Sequence, residues 1–294
     1  MTDRIQKTLI RHRSALFARA HVVGVGIGEK ITAGRPTGKT CLKVYVEKKH
    51  PLAKLSARDL VPPKIGPVLT DVEEVGKIRA FSNTLRERPA KGGSSIGHYK
   101  ITAGTLGVVV TDKKSKKKLI LSNNHVLANS NSAKIGDAIL QPGKYDGGKL
   151  GRDTIAKLLR FEKVLFKNKP NHIDAALAEP IAPGLVSQEI LEIGRPKEAA
   201  PARRGMSLQK SGRTTGYTTG KVKDVDASVK VDYDGKTAVF VGQILTTAMS
   251  QGGDSGSLVM DDKKKTVGLL FAGSEAVTIL NPIQEVFDRL KVGL

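Results

Sequence analysis

Cysteine is nearly absent from this chain, because Cys41 is the only one among 294 residues. No disulfide can therefore form within the chain, and the fold must rely on the packing of its core. The first 20 residues do not resemble a secretion signal, since charged residues interrupt every apolar run. Both observations favour a reducing, cytoplasmic setting.

Large aromatic side chains are also scarce, with no Trp, five Tyr and seven Phe. This scarcity argues against recognition of single-stranded nucleic acid by base stacking. No apolar run approaches the roughly 18 residues that a membrane-spanning helix needs. The six histidines are scattered and the single cysteine has no partner at ligand spacing. We therefore predict neither a metal site nor a cofactor.

The charge of the chain is strongly one-sided, because 49 basic residues face 28 acidic ones and the net charge is +21. Such a field attracts nucleic acid, acidic proteins or anionic surfaces without selecting among them. Many lysines lie in two short runs, at 113–118 and 263–265, between apolar stretches. We interpret these runs as solvated hairpin turns. Charge alone therefore does not establish nucleic acid as a partner.

Residues 1–90 have the pattern of a small α+β domain. Two strand-like stretches lie at 21–30 and 40–49, and the second alternates apolar with polar residues. An amphipathic helix is predicted before them, and the residues near its apolar face are Ile5, Leu9, Leu16 and Phe17. We expect this domain to serve in recruitment, regulation or assembly.

The segment between these two strands resembles a phosphate-binding loop, with Gly34, Gly38, Lys39 and Thr40. It is one residue short of the usual spacing and leads into a strand instead of a helix. We therefore interpret the segment as a hairpin loop.

Residues 86–98 are rich in glycine, proline and charge, and they place a domain boundary near residue 90. From 91 to 294 the chain consists of short apolar runs separated by turn residues. That pattern predicts an antiparallel barrel or sandwich. A helix is predicted at the C-terminal end, with Asn281 as its N-cap and Pro282 in its first turn. Its buried stripe consists of Ile283, Val286, Phe287 and Leu290.

The strongest chemical signal is Ser255, which stands in the sequence QGGDSGSLVM. Serine hydrolysis needs a base for the hydroxyl proton, a carboxylate that orients the base, and backbone N–H groups that face the developing oxyanion. His125 follows an apolar strand in LILSNNHVLA, and Asp174 opens another in NHIDAALAEP. Histidine, aspartate and serine thus occur in that order, each at the end of a strand.

Other residues near these positions have simpler interpretations. His172 is the rival base, but its place two residues before Asp174 suits it to shield that aspartate instead of reaching Ser255. Asp137 and Asp146 lie in turn-like sequences, and we interpret both as structural.

An α/β-hydrolase nucleophile elbow is the alternative arrangement for such a serine. An elbow serine leads into a helix and is followed in sequence by its aspartate and histidine. Position 257 is serine instead of the expected glycine, the next residues read as strand, turn and strand, and no histidine follows Ser255. The elbow interpretation is therefore excluded.

Several separated motifs carry a family resemblance: SIGHYKITAGTLG, LSNNHVLA, GDAILQPG, SGRTTG, GDSGSLV and GLLFAGS. Together they resemble the trypsin-like, or chymotrypsin-fold, serine peptidases. The best likeness is to intracellular bacterial proteins of this kind, which also resemble the plant narrow-leaf proteases. The resemblance covers about residues 90–294 and implies a mainly β fold. Its expected form is a chymotrypsin-like double β-barrel with a C-terminal helix, preceded here by the small α+β domain.

The resemblance also implies roles for individual residues. His125 would be general base and then acid, Asp174 its orienting carboxylate, and Ser255 the nucleophile. The backbone N–H groups of Gly253 and Ser255 would form the oxyanion hole. Residues lining the first specificity pocket would be Met249, Ser250, Ala272 and Gly273. No acidic residue is among these four, so we expect cleavage after a neutral or apolar residue.

Asp254 is the point at which the chain departs from many relatives of this kind. In those enzymes the aspartate before the nucleophile pairs with a new amino terminus released by trimming. Here about 90 apparently folded residues precede the barrels, and no trimming motif is evident. We therefore expect another partner for Asp254, or none.

Two functions of different classes remain on the sequence alone. The first is a cytoplasmic serine endopeptidase that acts on a protein or peptide, with or without assembly into a homo-oligomer. The second is a non-catalytic binding or scaffolding protein on a protease fold, whose basic surface binds nucleic acid or an acidic partner. The complete His125, Asp174 and Ser255 set favours the first.

Overall fold

The computed structural model describes residues 2–76, 83–100, 103–166 and 169–294. The chain divides into two compact units, an N-terminal unit of residues 1–80 and a C-terminal unit of residues 81–294. This division falls before residue 90 because the strand Ala90–Gly92 hydrogen-bonds within the second unit, beside Val186–Ile190.

The N-terminal unit is one helix on a four-stranded sheet. Its elements are α1 (Thr2–Phe17), β1 (Val22–Thr32), β2 (Arg35–Val46), β3 (Lys64–Ile65) and β4 (Val68–Glu74). A short 3-10 turn covers Leu52–Lys54. The strand order is β1-β2-β4-β3, with β2 and β4 parallel and the other pairs antiparallel.

The alternation in β2 sets which face of this sheet is buried. Leu42 and Val44 are completely buried and pack with Ile5 and Leu16 of α1. The α+β prediction for this region matches the observed elements. Phe17 is an exception, since the helix ends there and 48% of its surface is exposed. Its expected place on the apolar face was wrong, because the chain turns away before that face can be covered.

The glycine-rich segment between β1 and β2 is a hairpin, as expected, and not a phosphate-binding loop. Thr32 pairs with Arg35 across a two-residue turn. Ala33 and Gly34 both have positive φ angles, 49° and 74°. Such a turn suits the right-handed twist of the two strands.

The C-terminal unit is built almost entirely from short strands. Its elements are β5 (Ala90–Gly92), β6 (Ser95–His98), β7 (Gly104–Thr105), β8 (Val108–Asp112), β9 (Lys118–Ser122), α2 (Asn124–Leu127), β10 (Ala138–Leu140), β11 (Thr154–Phe161), β12 (Pro170–Asn171), β13 (Ala176–Pro180), β14 (Val186–Ile190), β15 (Lys197–Ala199), β16 (Ser207–Gly212), β17 (Gly216–Tyr233), β18 (Lys236–Thr247), β19 (Leu258–Asp261), β20 (Lys265–Gly273), β21 (Val277–Pro282), α3 (Ile283–Leu290) and β22 (Val292–Gly293). A 3-10 turn covers Lys144–Asp146.

Most of these strands form two curved sheets, which together make the expected double β-barrel, and β5 and β14 pair in a separate two-stranded sheet. The first has the order β22-β8-β9-β13-β11-β10-β6-β7. In the second, β16-β17-β18-β21-β20-β19 closes into a ring, because β21 pairs with both β18 and β20 and β19 pairs with β16. A shared core of buried aliphatic side chains from β8, β9, β13, β19, β20 and α3 joins the two barrels.

The longest hairpin of the second barrel is formed by β17 and β18. Its strands pair from Val222 with Thr246 out to Tyr233 with Lys236. The turn uses Asp234 and Gly235, both with positive φ, and Asp232 accepts a hydrogen bond from the Gly235 N–H. The hairpin therefore continues beyond residues 244–247, the part of β18 that pairs with β21.

The C-terminal helix has the expected buried stripe, formed by Ile283, Val286, Phe287 and Leu290. The prediction for its cap was wrong. Pro282 occupies the N-cap, and the side chain of Asn281 points into the barrel instead. There the Asn281 oxygen accepts a hydrogen bond from the Asp174 N–H, and its amide donates to Gln243.

Candidate active site

His125 lies where the first barrel opens into a cleft. Strand β9 ends at Ser122 with four consecutive buried residues, and the single helical turn α2 begins at Asn124. Val126 and Leu127 of this turn are buried, whereas 23% of the His125 side chain is exposed. The packing of its neighbours therefore fixes the position of an imidazole that still faces solvent.

Asp174 is paired with His125. Its Oδ2 atom lies 2.6 Å from His125 Nδ1, and its Oδ1 accepts a 3.2 Å hydrogen bond from the His125 backbone N–H. The hydroxyl of Tyr233 donates to the same Oδ2 at 2.7 Å. Asp174 is completely buried. Burial alone would raise the pKa of this carboxyl, but His125 and Tyr233 hold the pKa below its usual value.

The backbone of Asp174 is held as firmly as its side chain. Its N–H donates to Asn281 at 2.9 Å, and its carbonyl accepts a 2.7 Å hydrogen bond from Asn123. Gln243 extends the network by accepting from Asn281 and donating to the His172 carbonyl. The carboxylate is thus placed by contacts from both barrels.

Ser255 lies in the turn before β19. Its carbonyl accepts a 2.8 Å hydrogen bond from the Thr105 N–H of the first barrel. A side chain at Gly104 would clash with Val126 and would lie 3.1 Å from the Ser255 carbonyl. Because only glycine fits there, the turn that carries Ser255 can approach the helical turn that carries His125.

The Ser255 hydroxyl donates to the Phe271 carbonyl at 3.4 Å. Among the described residues, no hydrogen bond joins this hydroxyl to His125. Phe271 nevertheless links the two residues, because it also lines the cleft that contains His125. That cleft has a volume of about 1000 Å³, and residues 230–234 of the long hairpin form part of its wall.

A second cavity, of about 650 Å³, adjoins Ser255. The four residues expected in a specificity pocket line this cavity, namely Met249, Ser250, Ala272 and Gly273. Met249 is nearly buried, with 4% of its surface exposed. Glu275 also lines the cavity, from an exposed position that the sequence did not indicate. Ala272 and Gly273 line both cavities and so connect them.

Gly253 and Ser255 have backbone N–H groups that donate to no described residue. Gly253 has a φ of +98°, and a side chain there would clash with Thr214. Thr105 fixes the peptide from the other side, donating its hydroxyl to the Gly253 carbonyl at 2.9 Å. Two unused N–H donors beside a serine hydroxyl are what an oxyanion site requires.

Asp254 has a partner, and it is Lys210 of β16. Their side chains are both completely buried and lie 3.2 Å apart. Asp254 also accepts hydrogen bonds from the backbone N–H groups of Thr214, Thr215 and Gln251, and from the Thr215 hydroxyl. Lys210 donates in turn to the Thr215 hydroxyl and the Gly216 carbonyl.

The pKa values of this pair reflect burial and mutual attraction. Burial lowers the pKa of Lys210 below its usual value, and Asp254 opposes that change. Burial would raise the pKa of Asp254, but Lys210 and the Thr215 hydroxyl hold it below its usual value. Sequence reasoning did not find Lys210. The one available signal was that a lysine in a strand shares a face with Leu208, which is buried.

The other residues considered from sequence have partners other than His125 and Asp174. His172 is half-buried and has its ring nitrogen 3.9 Å from Glu285, so it does not cover the Asp174 carboxylate. Asp137 binds the buried His98 at 2.9 Å. Asp146 binds Arg213 at 2.6 Å.

Across the described ranges, no helix is both long and apolar enough to cross a membrane. The same residues contain no group of three or more His, Cys, Asp or Glu side chains arranged to hold a metal ion.

Comparison with solved structures supports the double-barrel fold. Protease A of Thermobifida fusca matches with a TM-score of 0.50 and 17% identity over 69% of this chain and 96% of its own. The Nocardiopsis protease NAPase matches with a TM-score of 0.51 and 16% identity over 70% and 99%. A glutamic acid-specific serine protease, described as using a histidine triad in substrate binding, matches with a TM-score of 0.50 and 19% identity over 69% and 99%.

No curated protein matches this sequence significantly. The model of the trypsin-like peptidase domain, however, matches residues 104–269, which is more than half of the chain. His125, Asp174 and Ser255 all fall within that range. The chain therefore belongs to the trypsin-like peptidase domain family.

Proposed function

We propose that this protein is a serine endopeptidase that hydrolyses peptide bonds through His125, Asp174 and Ser255. The observation that carries the proposal is the 2.6 Å contact between His125 Nδ1 and the buried Asp174. This contact leaves the other ring nitrogen of His125 facing a cleft whose wall also holds the acceptor of the Ser255 hydroxyl. Such a pair supplies a base of fixed orientation beside a candidate nucleophile.

In the proposed reaction the Ser255 hydroxyl leaves the Phe271 carbonyl and donates to His125 Nε2. Contacts of this kind are often long in a free enzyme and shorten with substrate. His125 then takes the proton as Ser255 Oγ attacks the scissile carbonyl carbon. The proton passes from His125 to the departing amine as the C–N bond breaks, which leaves an acyl-enzyme. Water, deprotonated by His125, hydrolyses the ester and restores Ser255.

The N–H groups of Gly253 and Ser255 are proposed to receive the oxyanion. Their lack of partners among the described residues supports this role. The Lys210–Asp254 pair supports it further, because a buried cation already neutralises the aspartate beside the nucleophile. On this account, the site requires no newly released amino terminus.

The 650 Å³ cavity is proposed to take the residue before the scissile bond. Its inner surface includes the apolar Met249, whereas Glu275 lies at an exposed position where solvent and salt screen its charge. A neutral or apolar side chain therefore fits the cavity better than a lysine or arginine. The partner is accordingly a protein or peptide substrate, and a cytoplasmic setting stays a prediction from the sequence.

The proposal is tested by incubating the purified full-length chain with a panel of fluorogenic peptides that differ in the residue before the cleavable bond. We expect hydrolysis of peptides with neutral or apolar residues there, and loss of that hydrolysis in Ser255→Ala. Ser187→Ala is the matched control, because Ser187 lies on β14 and contacts Glu189. Equal hydrolysis by wild type and Ser255→Ala would contradict the proposed nucleophile. A clear preference for Lys or Arg would contradict the proposed specificity.

A further inference from the structure

The Asp174 carboxylate receives a hydrogen bond that does not come from His125. Its donor is the Tyr233 hydroxyl, 2.7 Å from Oδ2, the same oxygen that faces His125 Nδ1. The other oxygen, Oδ1, has only the 3.2 Å contact with the His125 backbone N–H among the described residues. A buried carboxylate depends on every donor it has, because each missing donor leaves charge unsolvated.

Tyr233 reaches this position because it ends the long strand β17. Its ring stacks on Phe240 of β18 at a centroid distance of 6.2 Å and meets the edges of two other rings. These are Phe166, at 5.9 Å, and His125 itself, at 6.0 Å. The hairpin of the second barrel therefore delivers a hydroxyl to a carboxylate that belongs to the first.

The Tyr233 hydroxyl is suited to act as a permanent donor. Burial and the charge of Asp174 raise its pKa far above the ordinary value of tyrosine. It therefore keeps its proton throughout the pH range in which a peptidase works. A neutral donor can hold the carboxylate without cancelling its charge, which the imidazolium formed during the reaction requires.

We propose that Tyr233 is a positioning residue for catalysis, which holds the Asp174 carboxylate in the plane that orients His125. The inference rests on the proposed roles of His125 and Asp174. Without the hydroxyl, the carboxylate keeps only its two contacts with His125, one of them the long backbone contact. Rotation of the carboxylate would then also turn the imidazole away from Ser255. The tip of the β17–β18 hairpin is thus part of the catalytic apparatus, although Tyr233 does not touch the reacting atoms.

The test compares Tyr233→Phe with Tyr217→Phe. Tyr233→Phe keeps the ring and its stacking and removes only the hydroxyl. Tyr217 lies at the other end of the same strand, is 46% exposed and donates to Gln209 at 3.3 Å, so its variant removes a hydroxyl of the same kind far from Asp174. Melting temperatures of both variants establish that each is folded.

We expect kcat of Tyr233→Phe to fall about ten- to a hundredfold, the range for a lost hydrogen bond to a charged group. KM should change by less than about threefold, because the ring still forms the wall of the cleft. Tyr217→Phe should keep both constants within about twofold. A kcat of Tyr233→Phe within about twofold of wild type would overturn the inference.

A second measurement does not depend on activity. The proton between His125 Nδ1 and Asp174 should give a far-downfield NMR resonance, which its loss in His125→Ala would assign. In Tyr233→Phe this resonance should shift and its proton should exchange faster with water. In Tyr217→Phe neither property should change. An unchanged resonance in an active enzyme would overturn only the role of Tyr233. A shifted resonance in a protein that hydrolyses no substrate would overturn the proposed function but keep the positioning of the carboxylate.

Discussion

Asp174 and Asp254 lie close to the same site and are both completely buried, yet their surroundings differ in kind. Asp254 faces a lysine, Lys210, and accepts four further hydrogen bonds from hydroxyl and backbone donors. Asp174 faces a histidine and a tyrosine. One carboxylate faces a buried lysine cation, and the other faces the imidazole that is proposed to carry the proton during the reaction.

This difference assigns the two aspartates to different tasks. The Lys210–Asp254 pair fixes the turn that carries Gly253 and Ser255, and its charges need not change during a reaction. In the proposed reaction, the His125–Asp174 pair accepts a proton in one step and releases it in the next. Substitutions at Asp174 and at Lys210 test whether the two aspartates have these different roles.

Asp174→Asn should lower kcat/KM by about 10³- to 10⁴-fold, because an amide in this position favours the wrong histidine tautomer. Peptide hydrolysis measures the loss. Asp137→Asn is the matched control, since Asp137 forms a histidine pair with His98 outside the cleft. An equal loss in both variants would mean that the Asp174 effect is structural.

Lys210→Met should destabilise the C-terminal unit by about 3–5 kcal/mol, because it leaves the Asp254 charge buried without its ion partner. Chemical denaturation measures the change in the free energy of unfolding. Lys265→Met is the control, because Lys265 pairs with Glu198 at an exposed site and should change stability by less than about 0.5 kcal/mol. A loss of similar size at both positions would contradict the role given to the buried pair.

Alkaline pH should weaken the Lys210–Asp254 pair and leave the His125–Asp174 pair intact. Burial lowers the folded-state pKa of Lys210 below the ordinary lysine value of about 10.4, so its proton leaves at a lower pH than in the unfolded chain. Activity should therefore decline as pH rises through this lowered pKa, because Asp254 loses its cation. In Lys210→Arg the decline should move upward, since the guanidinium stays charged. A pH profile of kcat/KM that is identical in both proteins would contradict this.

Much of the fold could be predicted from local pattern. The alternation in β2, the turn at Ala33 and Gly34, and the apolar stripe of α3 are each encoded by residues close together in sequence. Phe17 and Asn281 could not be placed in this way. Phe17 remains exposed at the end of its helix, and the Asn281 side chain is hydrogen-bonded to Asp174 and Gln243, which are distant in sequence.

The residues of the candidate active site could be predicted where they stand in sequence motifs that resemble those of a known family. His125, Asp174 and Ser255 stand in motifs, whereas Lys210 and Tyr233 stand within ordinary strand sequence. Lys210 is separated from Asp254 by 44 residues and Tyr233 from Asp174 by 59. Only the closure of the second barrel and the length of its hairpin bring these partners together.

Covalent labelling tests whether Ser255 is a nucleophile activated by His125. The folded full-length protein is treated with an organophosphonate that carries a neutral apolar side chain, and intact mass and peptide mapping locate the adduct. We expect a single adduct on Ser255 in the wild type and in Ser187→Ala, and none in Ser255→Ala. An adduct confined to another residue, or no adduct on the folded wild type at any pH from 6 to 9, would contradict it.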